Sequence, residues 1–238
     1  MPDQTPEPAA AAYARLLSLA VHELSTPASV ISGYLRMLLR DTDAPLSDRQ
    51  RQMVDAAASS QARMVALIDE LGELSKLDAG TAMFEARSLD LFALVEEAAH
   101  GVHEAADRDV RLLVRGETAG AAMTGDPARL RTAFAAFFLA ILREQGAPCA
   151  VVVDRRALPA GSPTSARIVV ARDSDVERAY QAPAAAFDEH RGGLGLALPI
   201  ARRVVEHHGG GVWSPASHST GGGARRSTAV VLSFPLRA

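Results

Sequence analysis

The chain has one cysteine, few aromatic residues and no long apolar run. Cys149 is the single cysteine among 238 residues, which excludes an internal disulfide framework and indicates a reducing compartment. Aromatic residues make up 5% of the chain, and this scarcity beside abundant alanine favours helix packing over an all-β sandwich. No window approaches the roughly 18 consecutive apolar residues of a membrane span, and the first residues carry no basic signal region. We therefore expect a cytoplasmic protein with no membrane segment in this chain.

Neither sign of charge is in large excess. The formal net charge is −3, so composition indicates no basic surface and no nucleic-acid partner. Hydrophobic residues make up 48% of the chain, which is enough for a substantial core. The length allows one large domain or two ordinary ones, and we expect two.

Two heptad patterns follow a lead-in at residues 1–11 that is rich in Pro, Ala and Glu and is expected to be flexible. Both patterns place small or apolar residues at alternating spacings of four and three, as in a helix bundle. Between them, Ser47 and Gln50 have the capping-box spacing that predicts the start of a second helix. One hairpin cannot cover both seams, so we expect a homodimer that forms a four-helix bundle, although the pattern alone is equally typical of a generic helical hairpin. The seams are Leu17, Val21, Leu24, Ala28, Ile31, Leu35 and Leu38 in the first helix, and Met53, Ala57, Ser60, Met64, Leu67, Leu71 and Leu74 in the second.

His22 follows seam residue Val21, so its ring is expected at the edge of the bundle. A neutral imidazole has the lone pair needed to attack a phosphoryl group. Glu23 can hold the proton on the other ring nitrogen, and Thr26, one turn further on, can position a water or a phosphoryl oxygen. Pro27 removes the backbone hydrogen bond to the Glu23 carbonyl and predicts a bend. A lone histidine would be interpreted as a solvated surface residue, but this group of residues favours a phosphorylation site.

Residues 22–34, with the sequence HELSTPASVISGY, resemble the phospho-acceptor box of two-component sensor histidine kinases. Residues 67–80 resemble the closing segment of the HisKA-type dimerisation and phosphotransfer domain of the same family. The resemblance implies that His22 exchanges a phosphoryl group with an aspartate of a response-regulator receiver domain. It also implies that Glu23 is the catalytic acid or base and that Thr26 supports dephosphorylation of the regulator.

After residue 80 the pattern changes to helices and short strands joined by hairpin-like turns, which predicts an α+β sandwich. The last predicted helix follows a glycine-rich turn with Gly192, Gly193 and Gly195. Glycines at a helix N-terminus let backbone amides approach phosphates. Helices are expected at residues 89–103, 126–143 and 196–208, and strands at residues 111–114, 150–153, 167–171, 212–213 and 229–234.

Residues 191–210 resemble the phosphate-binding part of the GHKL-type ATP-binding domain of the same kinases. The resemblance implies the histidine-kinase ATPase fold, with the three glycines of the turn as cofactor-binding residues. It further implies Asp173 as the carboxylate that reads adenine and Arg143 as the positive charge where the family often has lysine. For Asp173 and the glycines, a retained strand and turn without a ligand explains the pattern equally well.

Other nucleotide motifs depart from the family. Ala136 and Ala140 stand where the resemblance implies two asparagines that bind magnesium or order its water, and an alanine does neither. Asp175 and Glu177 stand where glycines are expected, and the segment from Phe187 to Gly192 is too short for the usual mobile lid. The resemblance therefore implies ATP with magnesium as a cofactor, whereas the residues at these positions argue against its binding. We assign no metal ligands.

We expect a lead-in at residues 1–11, a helical-hairpin dimerisation and phosphotransfer domain at residues 12–80, and a degenerate ATP-binding-like domain at residues 81–238. Three functions follow. The first is a phosphotransfer or phosphatase protein charged at His22 by a regulator, an upstream histidine kinase or a sensor protein. The second is an active ATP-dependent histidine kinase with divergent nucleotide contacts. The third is a non-catalytic dimeric partner that binds a regulator.

Overall fold

The computed structural model describes residues 9–103, 108–146, 148–158, 165–216 and 228–236. They belong to two compact units, Met1–Ala82 and Met83–Ala238. Of the expected flexible lead-in, residues 1–8 lie outside the described residues. Residues 9–11 are already helical, because alanine has the highest intrinsic helix propensity.

The N-terminal unit is a hairpin of two long helices, α1 (Ala9–Arg40) and α2 (Asp48–Asp78). The predicted capping box at the start of α2 is confirmed. The Ser47 side chain accepts a hydrogen bond from the Gln50 backbone, and the Gln50 side chain accepts one from the Ser47 backbone at 3.0 Å. Both otherwise orphaned amides are thereby satisfied, which fixes where α2 begins.

Two buried polar side chains of α2 hydrogen-bond to backbone carbonyl groups of α1. Gln61 Nε2 donates to the Ala28 carbonyl at 2.7 Å, and Ser75 Oγ donates to the Ala14 carbonyl at 2.9 Å. The two bonds are separated by 14 residues on each helix, so together they define a single antiparallel register. Gly72 lies close to Val21, since a Cβ on this glycine would be 3.4 Å from Val21 Cγ1.

Part of each predicted seam faces away from this interface. Leu24, Ile31 and Leu38, which are seven residues apart, are 48%, 45% and 45% exposed. Met53 and Met64 of α2 are also exposed. Buried polar residues such as Gln61 close the hairpin, whereas these apolar residues form an uncovered stripe.

The C-terminal unit contains, in its described part, a six-stranded sheet in the order β2-β4-β5-β8-β7-β6 and a two-stranded antiparallel pair, β1 with β3. Strand β2 is parallel to β4, and the other neighbours in the large sheet are antiparallel. The helices are α3 (Leu91–His100), α4 (Pro127–Arg143), α5 (Val176–Gln181) and α6 (Ala197–His207), and the strands are β1 (Arg87–Asp90), β2 (Val110–Gly116), β3 (Ala122–Gly125), β4 (Cys149–Leu158), β5 (Ser165–Arg172), β6 (Ala184–Ala185), β7 (Gly211–Pro215) and β8 (Val230–Pro235).

Helices α4 and α5 pack on opposite faces of this sheet. Phe234 of β8 contacts Phe134 of α4 at a ring-centroid distance of 5.9 Å. Val231 of the same strand belongs to a buried cluster with Val176 and Ala179 of α5. Side chains three residues apart on a strand point to opposite faces. The α+β sandwich expected from the sequence is present, with α5 as an additional short helix on the far face.

Several predicted bounds differ by a few residues from those of this unit. The helix predicted at residues 89–103 begins at Leu91, because Leu89 and Asp90 pair with β3. The Asp90 side chain then caps the helix by accepting hydrogen bonds from the backbone N–H groups of Phe92 and Ala93. Helix α4 begins in the same way, with Asp126 as its N-cap and Pro127 in its first turn.

Candidate functional site

His22, Glu23 and Thr26 all lie on exposed surface of α1. Their position follows from the hairpin packing, since Val21 is half-buried against α2 and Ala28 is buried. A helix that buries these two residues turns His22 outward at the margin of the interface. The structure therefore brings the three predicted residues of the acceptor box together on one accessible stretch of helix.

Helix α1 continues through Pro27, and two serines make additional hydrogen bonds on either side of this residue. Ser25 Oγ donates to the Val21 carbonyl at 2.6 Å, and Ser29 Oγ donates to the Ser25 carbonyl at 2.8 Å. Proline cannot donate a backbone hydrogen bond to the residue four positions earlier. One of the two serine bonds ends on the carbonyl directly before His22.

An open groove of about 640 Å³ lies at the C-terminal end of α1 and begins at the last two residues of the acceptor box. Tyr34 and Met37 in its wall are 64% and 67% exposed, and two arginines border it. The groove thus combines apolar surface with positive charge. Its lining residues are Gly33, Tyr34, Arg36, Met37, Leu38, Arg40 and Asp41.

The three glycines of the predicted phosphate turn have positive φ angles, 68° for Gly192, 62° for Gly193 and 61° for Gly195. This left-handed conformation favours glycine, which explains the residue type without a ligand. Gly192 packs on α4, because a Cβ added to it would be 2.7 Å from Ala140 Cα. The turn therefore rests directly on the helix that the resemblance makes the magnesium-binding helix.

Arg191, immediately before these glycines, is a buried cation that sequence reasoning missed. It is 7% exposed. Its Nε donates to Glu144 Oε1 at 3.0 Å, its Nη2 donates to Glu144 Oε2, and its Nη1 donates to the Ala229 carbonyl at 3.2 Å. The partners are 47 and 38 residues away, so no local pattern reveals them.

Asp173, the predicted adenine-reading residue, accepts a hydrogen bond from Arg115 Nη1 at 2.8 Å. Arg115 Nε also donates to Asp154 at 3.0 Å. Asp154 is 2% exposed and accepts further hydrogen bonds from Arg156 Nε at 2.8 Å and from the Tyr180 hydroxyl at 2.9 Å. Asp173 thus forms the exposed end of an ion network that joins β2, β4 and α5.

This network holds the Asp154 carboxylate in its charged form. Burial by itself would raise the pKa of Asp154, but hydrogen bonds from Arg115, Tyr180 and Arg156 outweigh burial and lower it. Burial and the adjacent Asp154 carboxylate raise the pKa of the Tyr180 hydroxyl. Asp154 is therefore an ionised acceptor and Tyr180 a neutral donor over the physiological range.

Acidic residues at the expected glycine positions are also paired. Both Glu177 carboxylate oxygens accept hydrogen bonds from Arg156, and Asp175 accepts one from Arg178 at 2.7 Å. Residues 173–181 form a short 3₁₀ turn followed by α5. The segment that the resemblance makes a glycine loop is thus a helix fastened by ion pairs.

Arg143, the remaining predicted nucleotide contact, is exposed at the end of α4. Its backbone carbonyl accepts a hydrogen bond from Arg108 Nη1 at 3.2 Å. Asp173 is held by Arg115 of β2, and Gly192 lies against Ala140 of α4. Different elements therefore hold the two halves of the expected nucleotide site.

The residues present do not fit magnesium-bound ATP arranged as the resemblance implies. Ala136 and Ala140 are buried, and their side chains carry no oxygen that could bind magnesium. The backbone of Gly192 lies against Ala140, and Asp173 is engaged by Arg115. Within the described residues, no group of three or more His, Cys, Asp or Glu side chains is arranged to hold a metal ion.

The adjacent histidines at the end of α6 have structural contacts. His208 Nε2 accepts a hydrogen bond from the Asp126 backbone N–H at 2.9 Å, and its Nδ1 lies 2.7 Å from the Val204 carbonyl, which assigns the proton to Nδ1. Burial lowers the pKa of His208, so the ring is neutral near pH 7. The His207 ring stacks on Phe84 at a centroid distance of 3.5 Å.

The family model of the His Kinase A (phospho-acceptor) domain matches residues 12–80. The circadian input-output histidine kinase CikA of Synechococcus elongatus is 26% identical over 217 residues, which cover 84% of this chain and 28% of that kinase. The chain therefore spans less than a third of the length of this curated relative.

Two solved structures have a similar fold. Full-length ShkA in complex with AMPPNP has a TM-score of 0.64 and 21% identity, over 94% of this chain and 46% of that one. Histidine kinase ThkA in complex with the response regulator protein TrrA has a TM-score of 0.52 and 14% identity, over 94% of this chain and 61% of that one.

A helical hairpin followed by an α/β sheet domain is the architecture of histidine kinases with a HisKA domain and an ATPase domain, and the predicted fold class is confirmed. Residues 12–80 match the phospho-acceptor domain of histidine kinases, and the chain as a whole is similar to two-component sensor histidine kinases. None of the helices in the described part of the chain combines the length and apolar character needed to span a membrane.

Proposed function

We propose that this chain is a phosphotransfer protein of a two-component system, in which His22 exchanges a phosphoryl group with a response-regulator aspartate without its own use of ATP. The observation that carries the proposal is a contrast between the two units. His22, Glu23 and Thr26 are exposed on one stretch of α1. By contrast, the two positions where the resemblance implies magnesium-binding asparagines are occupied by the buried Ala136 and Ala140.

The exchange needs only groups that the acceptor box and the regulator supply. The neutral His22 ring attacks the phosphorus of an aspartyl phosphate, a nitrogen–phosphorus bond forms, and the aspartate leaves as a carboxylate. Glu23 holds the proton on the second ring nitrogen and stabilises the cationic phospho-imidazole. In the reverse direction the same atoms return the phosphoryl group, and Thr26 can orient a water that hydrolyses the regulator's phosphate.

The groove at the end of α1 is the proposed docking site for the receiver domain. It lies on the same helix as His22, and its centre is about 22 Å further along at 1.5 Å per residue, which is within the footprint of a small domain. Exposed Tyr34 and Met37 give it the apolar surface that protein interfaces bury. The similar kinase ThkA is known in complex with a response regulator, and we propose the same class of partner here.

The exposed stripe of Leu24, Ile31 and Leu38 supports a homodimer. These residues repeat every seven positions, and a second copy of the hairpin can cover them in a four-helix bundle. A cytoplasmic location is part of the same proposal, since receiver domains and the upstream kinase or sensor that would charge His22 must reach α1.

The test uses the purified full chain and a panel of receiver domains phosphorylated with labelled acetyl phosphate. Wild type is expected to acquire label from at least one receiver, and His22→Ala is expected to acquire none. His190→Ala is the control, because this histidine is exposed and lies outside α1.

Two results would contradict the proposal. Receiver binding that is identical in wild type and His22→Ala, with no transfer of label, would indicate a non-catalytic binding partner. His22-dependent labelling from ATP and magnesium alone would indicate an active kinase.

A further inference from the structure

We propose that Arg191 is an internal latch that holds the glycine turn closed on α4, so that the ATP-binding-like unit is a closed scaffold rather than a nucleotide site. The proposal deepens the assignment of a phosphotransfer protein that does not use its own ATP, and it rests on that assignment. The residues around the glycine turn do not fit the magnesium-bound ATP that the family resemblance implies.

The Arg191 guanidinium joins its own turn to two elements that are distant in sequence. Glu144, which receives two parallel hydrogen bonds from it, is the C-cap residue of α4. The Ala229 carbonyl, which receives a third, lies one residue before β8. The guanidinium also lies over the Phe187 ring, 5.6 Å from its centroid. A buried cation with a bidentate carboxylate partner is costly to separate, because each charge would be left unpaired in a poorly solvated place.

The latch has a steric consequence one residue further along. Gly192 is pressed against Ala140 so closely that a Cβ on it would meet both the Cα and the Cβ of that alanine, at 2.7 and 3.2 Å. A ligand can enter between the turn and α4 only if the turn moves away from the helix. Arg191 must then release Glu144 or Ala229.

A second set of ion pairs secures the other end of the segment. Glu189 accepts hydrogen bonds from Arg202 at 2.7 Å and from Arg203 at 3.3 Å, both on α6. The segment between Phe187 and the glycines is therefore fastened to α6 at one point and to α4 at another. Fixation at both ends distinguishes this short segment from the mobile lid that the family resemblance implies.

The first arm of the test measures hydrogen exchange of the Gly192–Leu196 amides in the full chain by mass spectrometry. Arg191→Ala and Glu144→Ala are expected to exchange at least tenfold faster than wild type, and the charge-swapped pair Arg191→Glu with Glu144→Arg is expected to recover most of the protection. Arg111→Ala is the control, because Arg111 also pairs with a carboxylate, Asp109, but lies on β2 and takes no part in fastening the segment. We expect it to leave these amides within about twofold of wild type.

Arg191→Lys covers the case in which the alanine variants fail to fold. Lysine keeps the charge but cannot make two parallel hydrogen bonds to one carboxylate, so intermediate exchange is expected. If all three single substitutions left exchange of the turn at the wild-type rate, the latch would be wrong and glycine packing alone would close the turn.

The second arm titrates magnesium and ATP into the same proteins by calorimetry, and His22 labelling from a phosphorylated receiver is followed in parallel. Wild type is expected to bind no nucleotide at millimolar ATP, and the latch variants are expected to retain labelling of His22. Saturable ATP binding by wild type with the turn still protected would overturn the latch. If the wild-type chain acquired no label from any receiver, the proposed function would be wrong. Failure of the latch and failure of the proposed function therefore give different results.

Discussion

Asp154 is a buried carboxylate whose three donors come from three different elements, so we expect its removal to be costly. Asp154→Asn should lower the free energy of unfolding at pH 7 by about 2–4 kcal/mol, because Arg115 and Arg156 lose their shared ionic partner. The folded-state pKa of Asp154 is lowered, so its stabilisation is present above the ordinary value of about 4 and is lost as the pH falls through the folded-state pKa. Denaturant unfolding at pH 7 and at pH 3 should show the wild-type advantage shrinking at the lower pH.

Asp109→Asn is the control for this substitution. Asp109 also pairs with an arginine, Arg111, but both side chains are well exposed, and exposed pairs contribute little. Its positive φ of 49° suits asparagine as well as aspartate. Equal losses for the two variants would mean that the buried network around Asp154 contributes no more than a surface ion pair.

The sequence predicts the acceptor box as a set of residues close together in the chain, but it does not predict the ion network or the Arg191–Glu144 pair. His22, Glu23 and Thr26 lie within five consecutive residues of one helix, so a local pattern is enough to group them. Arg191 and Glu144 meet across 47 positions, and nothing in the neighbourhood of either residue indicates the other. Long-range pairing of single charged residues is set by the fold and is not encoded in periodicity.

Helices α1 and α2 each contain a glycine that contributes no required backbone conformation. Gly33 would have no heavy atom within 4 Å of an added Cβ, and Gly72 would have an ordinary contact at 3.4 Å with Val21. Because glycine in a helix interior costs about 0.5–1 kcal/mol relative to alanine, Gly33→Ala and Gly72→Ala should each stabilise the hairpin by about this amount. Thermal unfolding followed by circular dichroism at 222 nm would report the higher Tm.

Gly72→Leu gives the opposite expectation. Its additional carbons would meet the Val21 side chain, so the helices would have to separate and the Tm should fall below that of wild type. A gain in Tm for the leucine variant would show that α2 does not approach Val21 of α1 closely at Gly72.

The elements that were predicted well are those with strong local signals. The capping box at Ser47 and Gln50 located the start of α2, and the heptad spacing located both long helices. Strands β1 and β3 were missed because each has four residues and they pair across an intervening helix and strand. Helix α5 was missed because residues 173–181 are rich in charge and were interpreted through a glycine-loop resemblance.

Subunit association can be tested with a residue that the single chain leaves exposed. Ile31 is 45% exposed in the middle of the uncovered stripe. Ile31→Glu should therefore leave the hairpin folded but place two carboxylates in the apolar centre of the proposed dimer. Analytical ultracentrifugation is expected to show a wild-type dimer and a variant shifted to monomer by at least tenfold in dissociation constant.

Leu113→Glu is the matched control, since Leu113 is similarly exposed, at 49%, on strand β2 of the other unit. It should dimerise as wild type does. A wild-type chain that is monomeric at tens of micromolar, or an Ile31→Glu variant that dimerises normally, would rule out this stripe as the interface.

The broad architecture was accessible from the sequence because the pattern changes abruptly after residue 80, close to the division between the two units at residues 82 and 83. Heptads extend up to this point, and alternating short strands and helices follow it. What the pattern could not predict is that buried polar residues, and not the apolar seam alone, close the hairpin. Gln61 and Ser75 occupy positions that apolar periodicity leaves out.

The two side-chain bonds that cross the hairpin also have a mechanical consequence. Both run from α2 to carbonyl oxygens of α1, at Ala28 and Ala14. An axial slide of one helix by a single residue, about 1.5 Å, would stretch both bonds simultaneously. Shear between α1 and α2 is therefore resisted along most of the length of the hairpin, whereas these two bonds do not restrain bending of the pair. A force applied at either end would reach the histidine as flexure of both helices together.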